Sequence, residues 1–330
     1  MRKWGGSFLS LHLSYAEKEM EALVALAEQF FHQAPTSVQT VTNGASGRCI
    51  VRFHIDGSTI IGVAWTNERP DNDSFVPVAQ YLKNHAVNVP SILAHKVTAP
   101  GCGLALVEDL GDSNLLSYCS EDWSSLRQRY RRAMEQVHRL HSCPVPTEFA
   151  LQPDFDFDLY RWEQAYFAEH FLGTHLHISP QKFLDHSAPL HLAKSLSKLP
   201  RSLVHRDCQS QNIHIYQGHT WLIDFQGMRL GRPEYDLASL VYDAYPQLSD
   251  SCVNDLISDW QSITGTPLDS DVFTACALQR VMQMLGAFAN IGYNKGNAWY
   301  LNQIPAALSH LQRLIPHSPL AECLSPLLKA

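Results

Sequence analysis

Asp207, Asn212 and Asp224 are the side chains best placed for chemistry. They lie in the stretch Leu203-Val-His205-Arg206-Asp207-Cys-Gln-Ser-Gln-Asn212-Ile-His-Ile and the following Trp221-Leu-Ile-Asp224-Phe-Gln226. Phosphoryl transfer asks for such a set: one carboxylate to orient an attacking hydroxyl and take its proton, and an amide oxygen and a second carboxylate to hold a metal against phosphates. Magnesium is hard, prefers oxygen, and takes only one or two ligands from protein. Between Asn212 and Asp224 the alternation of Ile213-His-Ile-Tyr216, the Gln217-Gly218-His219 turn and the returning Trp221-Leu-Ile223 read as a hairpin. A hairpin would bring Asn212 and Asp224 to adjacent strand ends.

His205-Arg206-Asp207, four residues, Asn212 and then Asp224-Phe225 match the spacing of a kinase catalytic loop and metal-binding segment. Together with Gln226-Gly227 and Glu234-Tyr-Asp236-Leu-Ala-Ser-Leu240, the stretch resembles the aminoglycoside-phosphotransferase superfamily of small-molecule kinases. Within it, the chain is most similar to the anomeric kinases of N-acetylmuramate and N-acetylglucosamine used in cell-wall sugar recycling, which carry Asp-Phe-Gln in place of Asp-Phe-Gly. The similarity runs over roughly residues 38–315 and is strong between 203 and 243. It implies an α+β, two-lobed protein-kinase-like fold, with a small antiparallel β lobe over 1–112 ending in a hinge and a mostly helical lobe over 113–330. ATP would bind between the lobes with Mg2+. Asp207 would be the catalytic base, and Asn212 and Asp224 the metal ligands. His205 would pack beneath the loop and Asp236 would brace it; Arg206 reads as either structural or a phosphate contact. The implied acceptor is the anomeric hydroxyl of an N-acetylated amino sugar. Another small alcohol or an aminoglycoside is the alternative acceptor, and a nucleotide-binding pseudokinase the alternative of another class.

Totals fit this picture. At 330 residues the chain exceeds a usual single-core domain. A net charge of −7 without a basic run argues against nucleic acid or an anionic membrane as main partner. Eight scattered cysteines with no C-x-x-C pair read as reduced thiols in a cytoplasmic protein. No stretch reads as about 18 consecutive apolar residues, so no membrane span is expected. Oligomeric state is not legible.

Other elements must position these residues. Ser14-Tyr-Ala-Glu17 reads as a capping box opening a helix that Pro35 stops. Val38–Thr42, Cys49–Ile55 and Thr59–Trp65 read as strands. The turn Asn43-Gly44-Ala-Ser46-Gly-Arg48 would offer phosphates its backbone N–H groups and the Ser46 hydroxyl; an ordinary hairpin turn reads alike. The third strand lacks the phosphate-binding lysine of protein kinases, and the helix near 74–85 lacks its glutamate partner. Arg48 or the loop backbone is expected to supply the missing charge; a solvated hairpin arginine is the plain alternative. By chain order, Glu108-Asp109-Leu110 is the hinge, its backbone facing adenine. From 113 helices dominate. His138 and His141 share a helix face and read as buried or capping. Phe155–Leu172 reads as one amphipathic helix. By resemblance it supplies Glu163 as first substrate contact and Arg161 as second. Gln226 and Arg229, just past Asp224, are expected to face the sugar, with a substrate carboxylate such as a lactyl group as the alternative partner of Arg229. Three helices, 273–289 with its stop near Gly292, 299–314 and 320–328, are expected to end the chain.

Overall fold

The computed structural model describes residues 7–41 and 47–329; of 7–16, 70, 317, 328 and 329 it describes the backbone alone. The chain divides into two compact units, Met1–Gly111 and Asp112–Ala330.

The first unit is a five-stranded antiparallel sheet with two helices. Strands β1 (Ser37–Thr40), β2 (Cys49–Ile55), β3 (Ser58–Trp65), β4 (Ile92–Ala99) and β5 (Cys102–Glu108) lie in the order β1-β2-β3-β5-β4. The β2–β3 turn puts Asp56 and Gly57 at φ 48° and 73°, the double left-handed turn that matches strand twist. Gly62 faces the ring of Phe53; a Cβ there would come within 2.7 Å of it. Helix α1 (Ser7–Phe31) lays Leu23, Leu26 and Ala27 on Val51, Phe53, Ile60 and Leu106. It begins upstream of Ser14, so the Ser14–Glu17 box lies inside the helix. The cause is legible: no glycine or proline interrupts Ser7–Phe31, and the apolar run before Ser14 continues the helix. Helix α2 spans Phe75–Asn84.

In the second unit, α3 (Trp123–His141) is capped by Asp122, whose Oδ1 accepts from Ser125 N–H at 3.1 Å. Helix α4 (Phe157–Phe167) starts later than expected because Asp156 caps it, and widens over Ala168–His175 into a π-helical turn. The stretch that read poorly holds α5 (Pro180–Leu184) and α6 (Ser187–Leu196). Strands β6 (Ser202–Val204) and β9 (Arg229–Gly231) pair, and β7 (Ile213–Tyr216) and β8 (His219–Leu222) form the expected hairpin. Helix α7 (Pro233–Val241) carries proline at its first turn, and α8 (Asp250–Thr264) was not anticipated.

Helix α9 (Ser270–Asn294) overruns its expected end. Gly286 and Gly292 do not stop it; they admit neighbours. A Cβ on Gly286 would lie 2.9 Å from the Tyr166 ring, and Gly292 receives Leu301. By length and composition α9 could cross a membrane, but 78% of its apolar window is buried inside the fold, which makes it the core helix of this unit. The expected helix 299–314 is a 3-10 turn, Ala298–Gln303, followed by α10 (Ile304–Leu314), and 320–328 holds turns with only a short 3-10 piece.

Candidate active site

The loop after β6 is held from below by one carboxylate. Asp236, in the first turn of α7 and fully buried, accepts from His205 N–H (2.7 Å) and Arg206 N–H (2.8 Å), while its Oδ2 meets His141 Nε2 at 2.8 Å. The His205 ring meets the Ile223 carbonyl at 2.9 Å. Arg206 sits at φ 79°, a left-handed position costing a side-chain-bearing residue about 1–3 kcal/mol; the Asp236 clamp offsets it. A second buried carboxylate, Asp243, accepts from Ser210 N–H (2.8 Å) and Oγ–H (2.6 Å). Burial pushes the Asp243 carboxyl above its ordinary pKa, against these hydrogen bonds.

Asp207 projects from this clamped loop between two guanidinium groups. Its Oδ2 lies 2.7 Å from Arg206 Nη1 and its Oδ1 lies 3.6 Å from Arg280 Nη1. Burial raises its pKa, but Arg206, Arg280, His205 and Arg229 together outweigh this and bring it down to about 2. Its side chain keeps 21% exposure, enough to meet a hydroxyl. Asn212 donates through Nδ2 to the Asp207 carbonyl at 2.9 Å, which leaves Oδ1 as an acceptor. The Ile223 N–H donates to the Asn212 carbonyl at 3.0 Å, tying the hairpin's ends together. Asp224 follows at φ 61°, and Gln226 Nε2 donates to its Oδ1 at 2.8 Å. Gln226 is buried, and its Oε1 has no partner among the described residues. Asn212 and Asp224 offer hard oxygen donors, a pair that suits magnesium.

The expected substrate residues fare unevenly. Glu163 is 1% exposed and accepts from Tyr235 Oη (2.9 Å) and Gln279 Nε2 (3.0 Å). Burial raises its pKa, countered by Arg206, Gln279, Tyr235 and Arg280. It is thus an internal counter-charge beneath Arg206, not a surface contact. Arg161 donates to Gln164 Oε1 (2.7 Å) and to the Leu184 carbonyl (3.2 Å), bracing α4 against α5. Arg229 is 9% exposed; it donates to the Gly227 and Pro153 carbonyls at 3.0 and 3.3 Å and lies 5.5 Å from the Phe155 ring centroid. Burial lowers its pKa, as does neighbouring Arg206.

In the first unit, the Glu108 carboxylate accepts from Ser91 N–H and Oγ–H (3.1 and 2.8 Å), and its own N–H donates to Ser91 O. Asp109 takes Arg52 Nε and Nη2 at 2.6 and 3.1 Å and the Gly111 N–H at 2.9 Å. Leu110 is buried. The Glu108 and Asp109 side chains are therefore internal braces. Arg48 is half-buried, its guanidinium 5.9 Å from the Phe75 ring centroid; Gly44 and Ser46 lie outside the described residues.

Sequence reasoning missed Arg280, Gln279 and Asp243. One signal was available: Arg280 is the only charged residue between Val272 and Asn294. A lone arginine in an apolar helix is seldom buried without a partner.

Known proteins resemble the chain as a whole. The profile of the phosphotransferase enzyme family matches residues 36–269, more than half of the chain. The chain belongs to that family. Its relatives include the N-acetylmuramate/N-acetylglucosamine kinase of Neisseria meningitidis serogroup B, 27% identical over 276 residues, covering 78% of this chain and 79% of that protein. The kinase of the same name from Pseudomonas aeruginosa is 24% identical over 311 residues, covering 89% and 88%. Among solved structures, choline kinase LicA from Streptococcus pneumoniae superposes with TM-score 0.61 at 15% identity, covering 88% of this chain and 98% of that one. The amicoumacin kinase hAmiN gives TM-score 0.61 at 15% identity, covering 89% and 95%. The fold is the protein-kinase-like one expected from the sequence, and the protein is a small-molecule kinase.

Proposed function

We propose that this kinase transfers the γ-phosphoryl group of ATP, with magnesium, to the anomeric hydroxyl of an N-acetylated amino sugar, releasing a sugar 1-phosphate and ADP. The observation that carries the chemistry is the gathering of Asp207, Asn212 and Asp224 on one clamped loop and hairpin. The names of the relatives support the acceptor class. Asn212 Oδ1 and the Asp224 carboxylate would hold magnesium, which supplies charge neutralisation at the phosphates. Asp207 orients the hydroxyl and takes its proton as the new O–P bond forms and the bond to ADP breaks. With its pKa held to about 2, Asp207 is a weak base, which suits a loose transition state needing position more than activation. Met1–Gly111 is the nucleotide-binding part, through residues 43–48 and the backbone of 108–110. Gln226, with its spare oxygen, and Arg229 face the sugar.

The test is ADP release with magnesium-ATP across N-acetylglucosamine, N-acetylmuramate, N-acetylgalactosamine, glucosamine, kanamycin and choline, with phosphorus NMR of the product. Sugar-dependent turnover and an anomeric phosphate are expected. Turnover with kanamycin or choline alone would refute the sugar reading.

A further inference from the structure

The site needs a surface for the rest of the acceptor, and Glu163 and Arg161 do not offer one. We infer that the acceptor lies along one face of α9, in a trough with Arg280 and Gln283 at its deep end, Asn290 at its outer end, and Trp162 and Trp299 as its walls. The ligand is a pyranose bearing an acetamido group. The inference rests on the acceptor class proposed above and adds the residues that would bind it.

Arg280, Gln283, Ala287 and Asn290 recur at helical spacing and share one face of α9. Arg280 and Gln283 are buried, whereas Ala287, Asn290 and Ile291 are partly open, so the strip rises from the core to the surface. Its deep end meets the catalytic loop, with Arg280 beside Asp207. Arg280 is 2% exposed, yet its Nε has no partner among the described residues. Gln283 Oε1 accepts from Arg280, leaving the Gln283 amide nitrogen to donate.

Aromatic side chains flank the strip. On one side Asn290 Nδ2 donates to Tyr166 Oη at 2.8 Å, and Tyr166 stacks on Trp162 with centroids 5.2 Å apart and planes 16° apart. On the other, Tyr245 stacks on Trp299 at 5.5 Å and 28°. Tyr245 lies within electrostatic reach of both Asp207 and Arg280, which sets this stack beside the deep end. Trp162 and Trp299 are 52% and 45% exposed, unusual for large rings with no apolar function. Their faces suit the C–H faces of a sugar ring, and the amides suit hydroxyls and an acetamido group. The α9 strip bears no carboxylate of its own, and Asp207 at its deep end is already paired with Arg206 and Arg280, so the strip favours a neutral or anionic acceptor over a cationic one.

The experiment titrates N-acetylglucosamine calorimetrically into the full chain and its Trp162→Ala and Trp299→Ala variants. Both positions are exposed, so thermal melting should match wild type. Each variant is expected to weaken sugar binding about tenfold, with phenylalanine at the same position restoring most of it. The acceptor KM should rise in step, while the nucleotide KM stays put. Undiminished binding in both variants, or no binding to wild type, overturns the trough. Binding needs no turnover, so the two ideas fail separately: phosphate found away from the anomeric carbon, with binding still lost in the variants, would sink the 1-phosphate reading and uphold the trough.

Discussion

Asp236→Asn tests whether the clamp beneath the loop sets the catalytic geometry. The two Asp236 oxygens are not equivalent: Oδ2 serves His205 N–H and His141, while Oδ1 serves Arg206 N–H. An asparagine keeps one acceptor. The less costly rotamer leaves it at the Oδ2 position, so the new NH2 faces the Arg206 N–H, donor against donor. A buried donor left unpaired costs about 1–3 kcal/mol, and the other two bonds lose their charge assistance. The expected loss of stability is about 3–4 kcal/mol. The left-handed Arg206, whose conformation costs about 1–3 kcal/mol, then loses the backbone bond that offsets it. The peptide should relax and carry Asp207 with it. A displacement near 1 Å costs about a hundredfold in rate. Urea unfolding read by fluorescence gives the stability, and steady-state kinetics below the unfolding range give the rate. The expected outcome is a lower midpoint, kcat down about a hundredfold, and an unchanged nucleotide KM. A variant that loses stability but keeps kcat within about threefold, far short of that loss, would show that the clamp holds the fold and not the geometry.

Asp207→Asn should lower kcat by orders of magnitude while leaving the nucleotide Kd, measured by calorimetry, intact. Arg48→Ala should raise the KM for nucleotide; an unchanged value would return Arg48 to an ordinary hairpin charge. Arg52→Met should reveal the buried Asp109 charge. Burial pushes the Asp109 carboxyl up, but bonds from Arg52, Thr59 and the Gly111 N–H outweigh this and hold it below its ordinary value. Its stabilising contribution is therefore full above the unfolded-state pKa and lost as pH falls through the folded value. The variant should lie about 3–5 kcal/mol below wild type at pH 7, and urea titrations should show that gap narrowing towards pH 3. Gly286→Ala should cost about 1–3 kcal/mol by overpacking, because the new methyl meets the Tyr166 ring at 2.9 Å and the Phe167 Cα at 3.0 Å; an unchanged melting midpoint would contradict the close α4–α9 approach.

The catalytic loop and hairpin were legible because their signals are local. The spacing from Asp207 to Asn212 and the Gln217-Gly218 turn, at φ 50° and 78°, sit within one short stretch. The strands of the first unit were legible for the same reason. Glycines misled where their role was tertiary: Gly292 reads as a stop but is a notch for Leu301. Glu163 misled because helical periodicity gives a face but not what covers it; Tyr235 and Gln279 do so from 72 and 116 residues away. Trp162, its neighbour, is exposed instead. Arg280 could be noticed as an oddity in α9, but its partner Asp207 could not be read from composition.

The long reach of α9 gives the site an order of assembly. The loop and hairpin need chain only as far as Asp236 and Asp243, 31 and 33 residues beyond His205 and Ser210, so they can form before α9 is made. The buried counter-charge Glu163 obtains its Gln279 partner only 116 residues later, on the same helix that brings Arg280 to Asp207. At about 5–20 residues per second of synthesis, that gap lasts on the order of ten seconds. Until α9 docks, the nascent chain carries Asp207 with Arg206 beside it but without Arg280. With Asp207 as the proposed base, activity is a late event of biosynthesis, and its first appearance during translation would time the seating of this core helix.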